Sequence, residues 1–176
     1  MTVSVTTVET TFQTEDNTYN MIRYIHYGHN KYDPNKFEPV IDTGWLKPYG
    51  GLWASRVDAK FGWWSWCISQ KFRINELRQD NCFYFTLKPE ARILVINSTD
   101  DLKDLPKKEG IPGLARKLIR PTQVFLDYNK LQEDYDAIEF NISNDRRLYW
   151  YLYGWDCDCT LIMNKEVIIQ SDKNSN

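Results

Sequence analysis

The chain lacks the patterns that most often announce an activity. It contains no Gly-x-Ser-x-Gly elbow, no Walker A loop and no Gly-x-Gly-x-x-Gly fingerprint, so the usual sequence signals of a serine hydrolase, a P-loop nucleotidase and a Rossmann dehydrogenase are missing. No apolar run reaches the roughly 18 residues of a membrane span. The Thr-rich start carries Glu9, Glu15 and Asp16 instead of the basic and apolar regions of a signal peptide, so a soluble cytoplasmic protein without a membrane partner is expected. Charge of one sign is also missing. A net charge of −2 gives no overall attraction to phosphate, which disfavours nucleic acid as a partner, and the small run Lys107, Lys108, Arg116, Lys117 and Arg120 reads as a solvated face.

Cysteine and histidine are scarce. The four cysteines, Cys67, Cys82, Cys157 and Cys159, are irregularly spaced. The last two alternate along an expected strand, a spacing that strains a disulfide between them, so all four are expected as free thiols. The two histidines, His26 and His29, flank Gly28 in "RYIHYGHNKYDPNKF". Together with Cys157 and Cys159 they have the ligand types of a zinc site, but no second Cys-x-x-Cys supports one, and no metal is expected.

Aromatic residues are abundant. Seven Trp and eleven Tyr bring the aromatic share to 15%, an excess that a core, a pocket or an interface must absorb. The length of 176 residues suits one domain. That domain is expected over 21–170, between an N-terminal arm (1–20) and a disordered tail (171–176).

Strands are expected at Met21–Tyr27, Leu52–Ser55, Cys82–Leu87, Ala91–Asn97, Tyr135–Ile142, Arg147–Gly154, Cys159–Met163 and Val167–Gln170. The runs on either side of Lys88-Pro89-Glu90 should pair with each other. Helices are expected from Val57 to Gln70, started near Ser55 or Asp58, over Gly113–Ile119, and over Asp127–Asp134, with a capped turn at Ser98–Asp101. The fold class is α+β: a β-rich single domain of two packed antiparallel sheets with a few short helices.

Candidate chemistry lies in three places. His26 and His29 can donate or accept hydrogen bonds beside Gly28, which lets a ligand approach the backbone. "KPYGGLWASRVDAKFGWWSW" sets Gly51 and Ser55 ahead of Trp63 and Trp64. Asp156 and Asp158 lie beside a β-run and Glu139 on the preceding one, where a carboxylate can orient a ribose or stabilise a developing cation.

These pieces resemble the ADP-ribosyltransferase fold in its diphtheria-toxin and poly-ADP-ribose polymerase branch. That family opens its NAD pocket with a strand ending in His-Gly-Thr or His-Gly-Ser, and "IHYGHNKYD" stands in that place. Gly28 matches the glycine, Tyr27 falls at the histidine position and His29 at the hydroxyl position, with His26 adjacent. "GLWAS" looks like the family's second strand, and an ungapped continuation brings Trp64 to the tyrosine that stacks on nicotinamide. "CTLIMNKEVI" is similar to the strand that the family opens with a glutamate, whose place Cys159 occupies.

The resemblance implies NAD as substrate, bound by His26, Tyr27, Gly28, His29, Gly51, Ser55 and Trp63 or Trp64. Asp156, Asp158 and Glu139 are then the carboxylates available to support an oxocarbenium-like transition state. It further implies an ADP-ribosyltransferase-like bacterial or phage toxin or counter-defence effector acting on a protein or nucleic-acid acceptor. The alternative is a non-catalytic protein-binding module on the same scaffold, which Cys159 favours. A weaker third reading is a carbohydrate or single-stranded nucleic-acid binder that uses aromatic stacking.

Overall fold

A computed structural model describes residues 21–43, 47–108, 122–152 and 154–171. The expected arm, the Gly113–Ile119 helix and the tail beyond Ser171 lie outside the described residues. Among these residues seven strands occur in chain order: β1 (Arg23–Tyr27), β2 (Leu52–Arg56), β3 (Cys82–Leu87), β4 (Ile93–Ile96), β5 (Ala137–Phe140), β6 (Cys159–Ile162) and β7 (Ile168–Ser171). Among the described residues three α-helices accompany them: α1 (Trp63–Gln70), α2 (Tyr128–Asp134) and α3 (Leu148–Tyr151).

The strands form one sheet in the order β4-β5-β6-β2-β1-β3-β7. This differs from the expected pair of antiparallel sheets in two respects. β2 joins the two halves, because Leu52–Ala54 pairs with β6 while Ser55 and Arg56 pair with β1. β4 and β5 run parallel. Nor do β3 and β4 pair across Lys88-Pro89-Glu90: both edges of β3 are taken, by β1 and by β7, so β4 crosses over to β5.

The sheet is strongly coiled. On a flat sheet β1 and β5 would lie three strand spacings apart, roughly 14 Å. Yet the Tyr24 hydroxyl donates to Glu139 Oε2 at 3.2 Å. Coiling folds Tyr24, Phe83, Phe85 and Leu87 over Ala54, Ala137 and Ile162, which gives a core on the concave face. On the other face Ile138, Phe140 and Leu161 pack with Leu131 of α2, Leu148 of α3, Leu152 and the buried Trp155.

Two helices depart from expectation. α1 begins at Trp63 instead of Val57, because the Ser55 hydroxyl accepts the Trp63 amide proton at 2.9 Å and so starts the helix from a neighbouring strand. Arg147–Gly154, expected as a strand, contains α3. Leu148, Tyr151, Leu152 and Trp155 repeat at i, i+3, i+4 and i+7, and this helical period places Leu148, Leu152 and Trp155 in the core despite their β-prone aromatic neighbours. The capped turn at Ser98 and Asp101 forms as expected, and the helix expected over Asp127–Asp134 forms over Tyr128–Asp134 with Asp127 as its cap.

Candidate functional site

The site forms where β1 and β2 part. Their ladder stops at Ile25–Ser55, and beyond that point the His26 ring replaces the next ladder bond, Nδ1 lying 2.7 Å from the Trp53 carbonyl oxygen. A carbonyl only accepts, so Nδ1 carries the proton. Burial lowers the pKa of His26 below its ordinary 6.5, which leaves Nε2 as a neutral acceptor at physiological pH. Gly28, at φ +121°, keeps that nitrogen uncovered, because a Cβ there would sit 3.6 Å from Nε2.

Two cavities meet at His26. The larger, about 390 Å³, is lined by Tyr27, Trp53, Trp63, Asp156, Cys157 and Cys159, with Lys47, Arg73 and Glu76 also on its walls. The smaller, about 250 Å³, is lined by His29, Lys31, Lys36 and Gly51 among others. In the larger cavity Trp63 is stacked on Trp66, with ring centroids 5.1 Å apart and planes at 19°, and the edge of Phe72 lies against both. This aromatic wall is braced from behind. Burial, followed by the neighbouring Cys82 and Tyr84, raises Tyr27 to about 12, so its hydroxyl remains a donor at neutral pH.

The three candidate acids separate. Asp158 is buried and accepts from the Ser143 amide at 2.8 Å, the Ser143 hydroxyl at 2.6 Å and the Phe61 amide at 3.1 Å. Glu139 is buried with Tyr24, Asn141 and Arg56 as its partners. Neither lines the larger cavity, whereas Asp156 does. Cys159, at the position that the resemblance assigns to a glutamate, is in the same wall. A hydrogen bond to Cys159, reinforced by burial, pushes the neighbouring Cys157 thiol far above its ordinary range, so Cys157 stays a thiol rather than a nucleophilic thiolate.

The remaining candidates have other surroundings. The Ser55 hydroxyl is engaged on both sides, donating to the Asp158 carbonyl at 2.8 Å while it starts α1. Gly51, at φ +68°, is needed for close packing: a Cβ there would lie 2.5 Å from Leu161 Cδ1 and 2.8 Å from the Ile162 carbonyl oxygen. His29 is exposed and stacks with His26 at 5.8 Å. Trp64 is half exposed and is not on the larger cavity's lining; it lines an adjoining hollow with Ser55 and Tyr84, which shares Tyr27 and Trp63 with that cavity. Sequence reading missed Trp53, Lys47 and Arg73. Trp53 could have been found as the residue facing the opposite side from Ala54 inside "GLWAS", but nothing local marks the two cations.

Among the described residues no group of three or more His, Cys, Asp or Glu could hold a metal ion, and no helix is long and apolar enough to cross a membrane. No family model, no curated protein and no solved structure matches the chain.

Proposed function

We propose that the chain binds a dinucleotide of the NAD class at the fork between β1 and β2, as an ADP-ribosyltransferase-like protein in which Asp156 serves as the acid. The observation that carries this reading is the convergence of His26, Tyr27, Trp63, Asp156 and Cys159 on the lining of one cavity. Two cavities that both have His26 in their lining suit a ligand with two ring ends linked by a pyrophosphate. Trp63 offers a braced ring face to nicotinamide, His26 Nε2 accepts from a carboxamide or ribose hydroxyl, and Lys47 and Arg73, or Lys31 and Lys36, lie within the walls that a pyrophosphate would meet.

In transfer, the bond from the ribose anomeric carbon to the nicotinamide nitrogen breaks and its electron pair leaves with nicotinamide. The Asp156 carboxylate would stabilise the resulting cation until a nucleophile on the acceptor donates its own pair. A second reading, a protein-binding module without catalysis, is favoured by Cys159 in the glutamate place and by the half-exposed Trp64 and Trp150.

Isothermal titration with NAD, followed by mass spectrometry of the same mixture for free nicotinamide, tests both readings. Binding with release supports the transferase. Binding without release leaves a nucleotide-binding module. Absence of binding at millimolar NAD overturns the pocket assignment.

A further inference from the structure

All four cysteines are free thiols. Cys67 is buried in α1, and Cys82, at the start of β3, donates to the Gln79 carbonyl at 3.4 Å. Cys157 and Cys159 differ from these: both line the larger cavity of about 390 Å³, and their side chains are hydrogen-bonded to each other. The pairing follows from the backbone. Asp158 between them is held at every polar group, its carboxylate by Ser143 and Phe61, its amide by the Phe61 carbonyl at 2.9 Å and its carbonyl by the Ser55 hydroxyl at 2.8 Å. Side chains alternate along an extended chain, so fixing Asp158 away from the cavity turns both flanking thiols toward it.

Two thiols in contact can lose two electrons and close a disulfide. Extended residues rise about 3.3 Å each, which puts the Cα atoms of Cys157 and Cys159 about 6.6 Å apart, at the upper end of the about 4.4–6.8 Å that a disulfide spans. Closing the bond therefore pulls on the clamped Asp158 segment, and a strained disulfide is the easily reduced, reversible kind. Cys157 is 3% and Cys159 8% exposed, so a reagent has to enter the cavity, and a hydroperoxide is small enough to do so. Lys47 and Arg73 share the lining with Asp156 and Glu76. Their charges balance, and a neutral peroxide needs no field to draw it in.

We propose that Cys157 and Cys159 form a reversible disulfide on reaction with a hydroperoxide, and that this bond switches the forked pocket between two shapes. Cys157 keeps its proton, which makes Cys159 the attacking sulfur and Cys157 the resolving one. With hydrogen peroxide, the Cys159 sulfur takes one oxygen, the O–O bond breaks, and the departing hydroxide takes the Cys159 proton as water, leaving a sulfenic acid. The Cys157 sulfur then attacks the Cys159 sulfur. The S–O bond breaks, and the hydroxide that leaves takes the Cys157 proton as a second water. The sulfurs lose two electrons in all, and the peroxide gains them. Asp156 directly precedes Cys157, and Trp53 and Trp63 share the lining, so the pull reaches the acid and the rings of the pocket. Formation of the bond stands without the nucleotide reading, whereas its effect on NAD rests on that reading.

Folded, reduced full-length protein is exposed to a small molar excess of hydrogen peroxide, then unfolded and labelled with N-ethylmaleimide for peptide mass spectrometry. The expected result is loss of both labels from the peptide that holds Cys157 and Cys159, labels kept at Cys67 and Cys82, and full recovery with dithiothreitol. Near-ultraviolet circular dichroism should change on oxidation and return on reduction. Cys157→Ser should stop at a sulfenic acid on Cys159 that dimedone captures, and Cys159→Ser should keep Cys157 labelled, with the near-ultraviolet band unmoved in both. Labels kept at the pair, oxidation that dithiothreitol does not reverse, earlier oxidation of Cys67 or Cys82, or a disulfide that leaves the near-ultraviolet band unchanged would each overturn the proposal. Titration of both forms with NAD separates the two readings. Binding at least about tenfold weaker in the oxidised form supports the switch, and equal binding overturns it. No binding by either form sinks the nucleotide reading and leaves the disulfide to stand on the mass and circular dichroism results.

Discussion

Two carboxylates separated by a single residue illustrate how far side-chain surroundings decide a role. Asp158 gathers two backbone amides and a hydroxyl from Phe61 and Ser143, so Asp158→Ala orphans buried donors. It should lose about 3 kcal/mol in urea denaturation. Asp156→Asn removes a charge from a cavity wall and should leave stability within about 0.5 kcal/mol. On the proposed function it abolishes nicotinamide release while NAD affinity, read by calorimetry, stays within about threefold. An Asp158→Ala protein that is fully stable would show that the Ser143 and Phe61 amides find other partners.

His26 adds a pH signature at the same scale. Its folded pKa lies below 6.5, so as the pH falls the unfolded chain takes up the proton first. The stability held by neutral His26 is complete above the unfolded value and declines as the pH drops through it toward the lower folded value. Urea midpoints measured between about pH 7 and about pH 5 should therefore fall more steeply for the native chain than for His26→Asn, whose amide keeps a donor for the Trp53 carbonyl. Identical slopes would exclude a depressed histidine.

Among the elements, α1 is short and depends on a residue outside itself. Gly62, its first flanking residue, provides no side-chain cap. The Ser55 hydroxyl from β2 meets the first helical amide and also holds the Asp158 carbonyl. Ser55→Ala should cost about 2 kcal/mol, because one buried donor and one buried acceptor lose their partner together. It should also loosen the Trp63–Trp66 stack, visible as a changed near-ultraviolet circular dichroism band. Unchanged near-ultraviolet ellipticity would show that the stack is held by Phe72 and the strands without the cap.

At the scale of the molecule, one coiled sheet carries two cores, and Glu139 ties its halves. Tyr24 from β1, Arg56 from β2 and Asn141 beyond β5 all reach this buried carboxylate. Because both cores share the sheet, tryptophan fluorescence and far-ultraviolet circular dichroism should report a single coincident unfolding transition. Glu139→Gln keeps the shape but removes the charge that Arg56 and the Tyr24 hydroxyl face, and should lower stability by about 2 kcal/mol with both probes still coincident. Separate transitions in either protein would mean that the halves unfold independently.

Local order was readable in the amino-acid sequence wherever a short-range interaction creates it. The β-branched and aromatic run Cys82–Leu87 forms the strand with those bounds. Ser98 with Asp101, and Asp127 ahead of Tyr128, close helical turns through bonds spanning three residues. The His26–Gly28 strand end, Trp63 and Asp156 also stood out as residue types suited to a site. Tertiary structure alone decided which of these meet. Strand pairing left β3 no free edge and sent β4 to β5. Coiling brought Glu139 to Tyr24 across 115 residues of chain and kept it off the lining of the larger cavity. Ser143 and Phe61 did the same for Asp158, leaving Asp156 on the cavity wall. Nearest-neighbour preferences act over a few residues and are written in the sequence, but the burial of a carboxylate depends on distant segments that become its neighbours only once the sheet has closed.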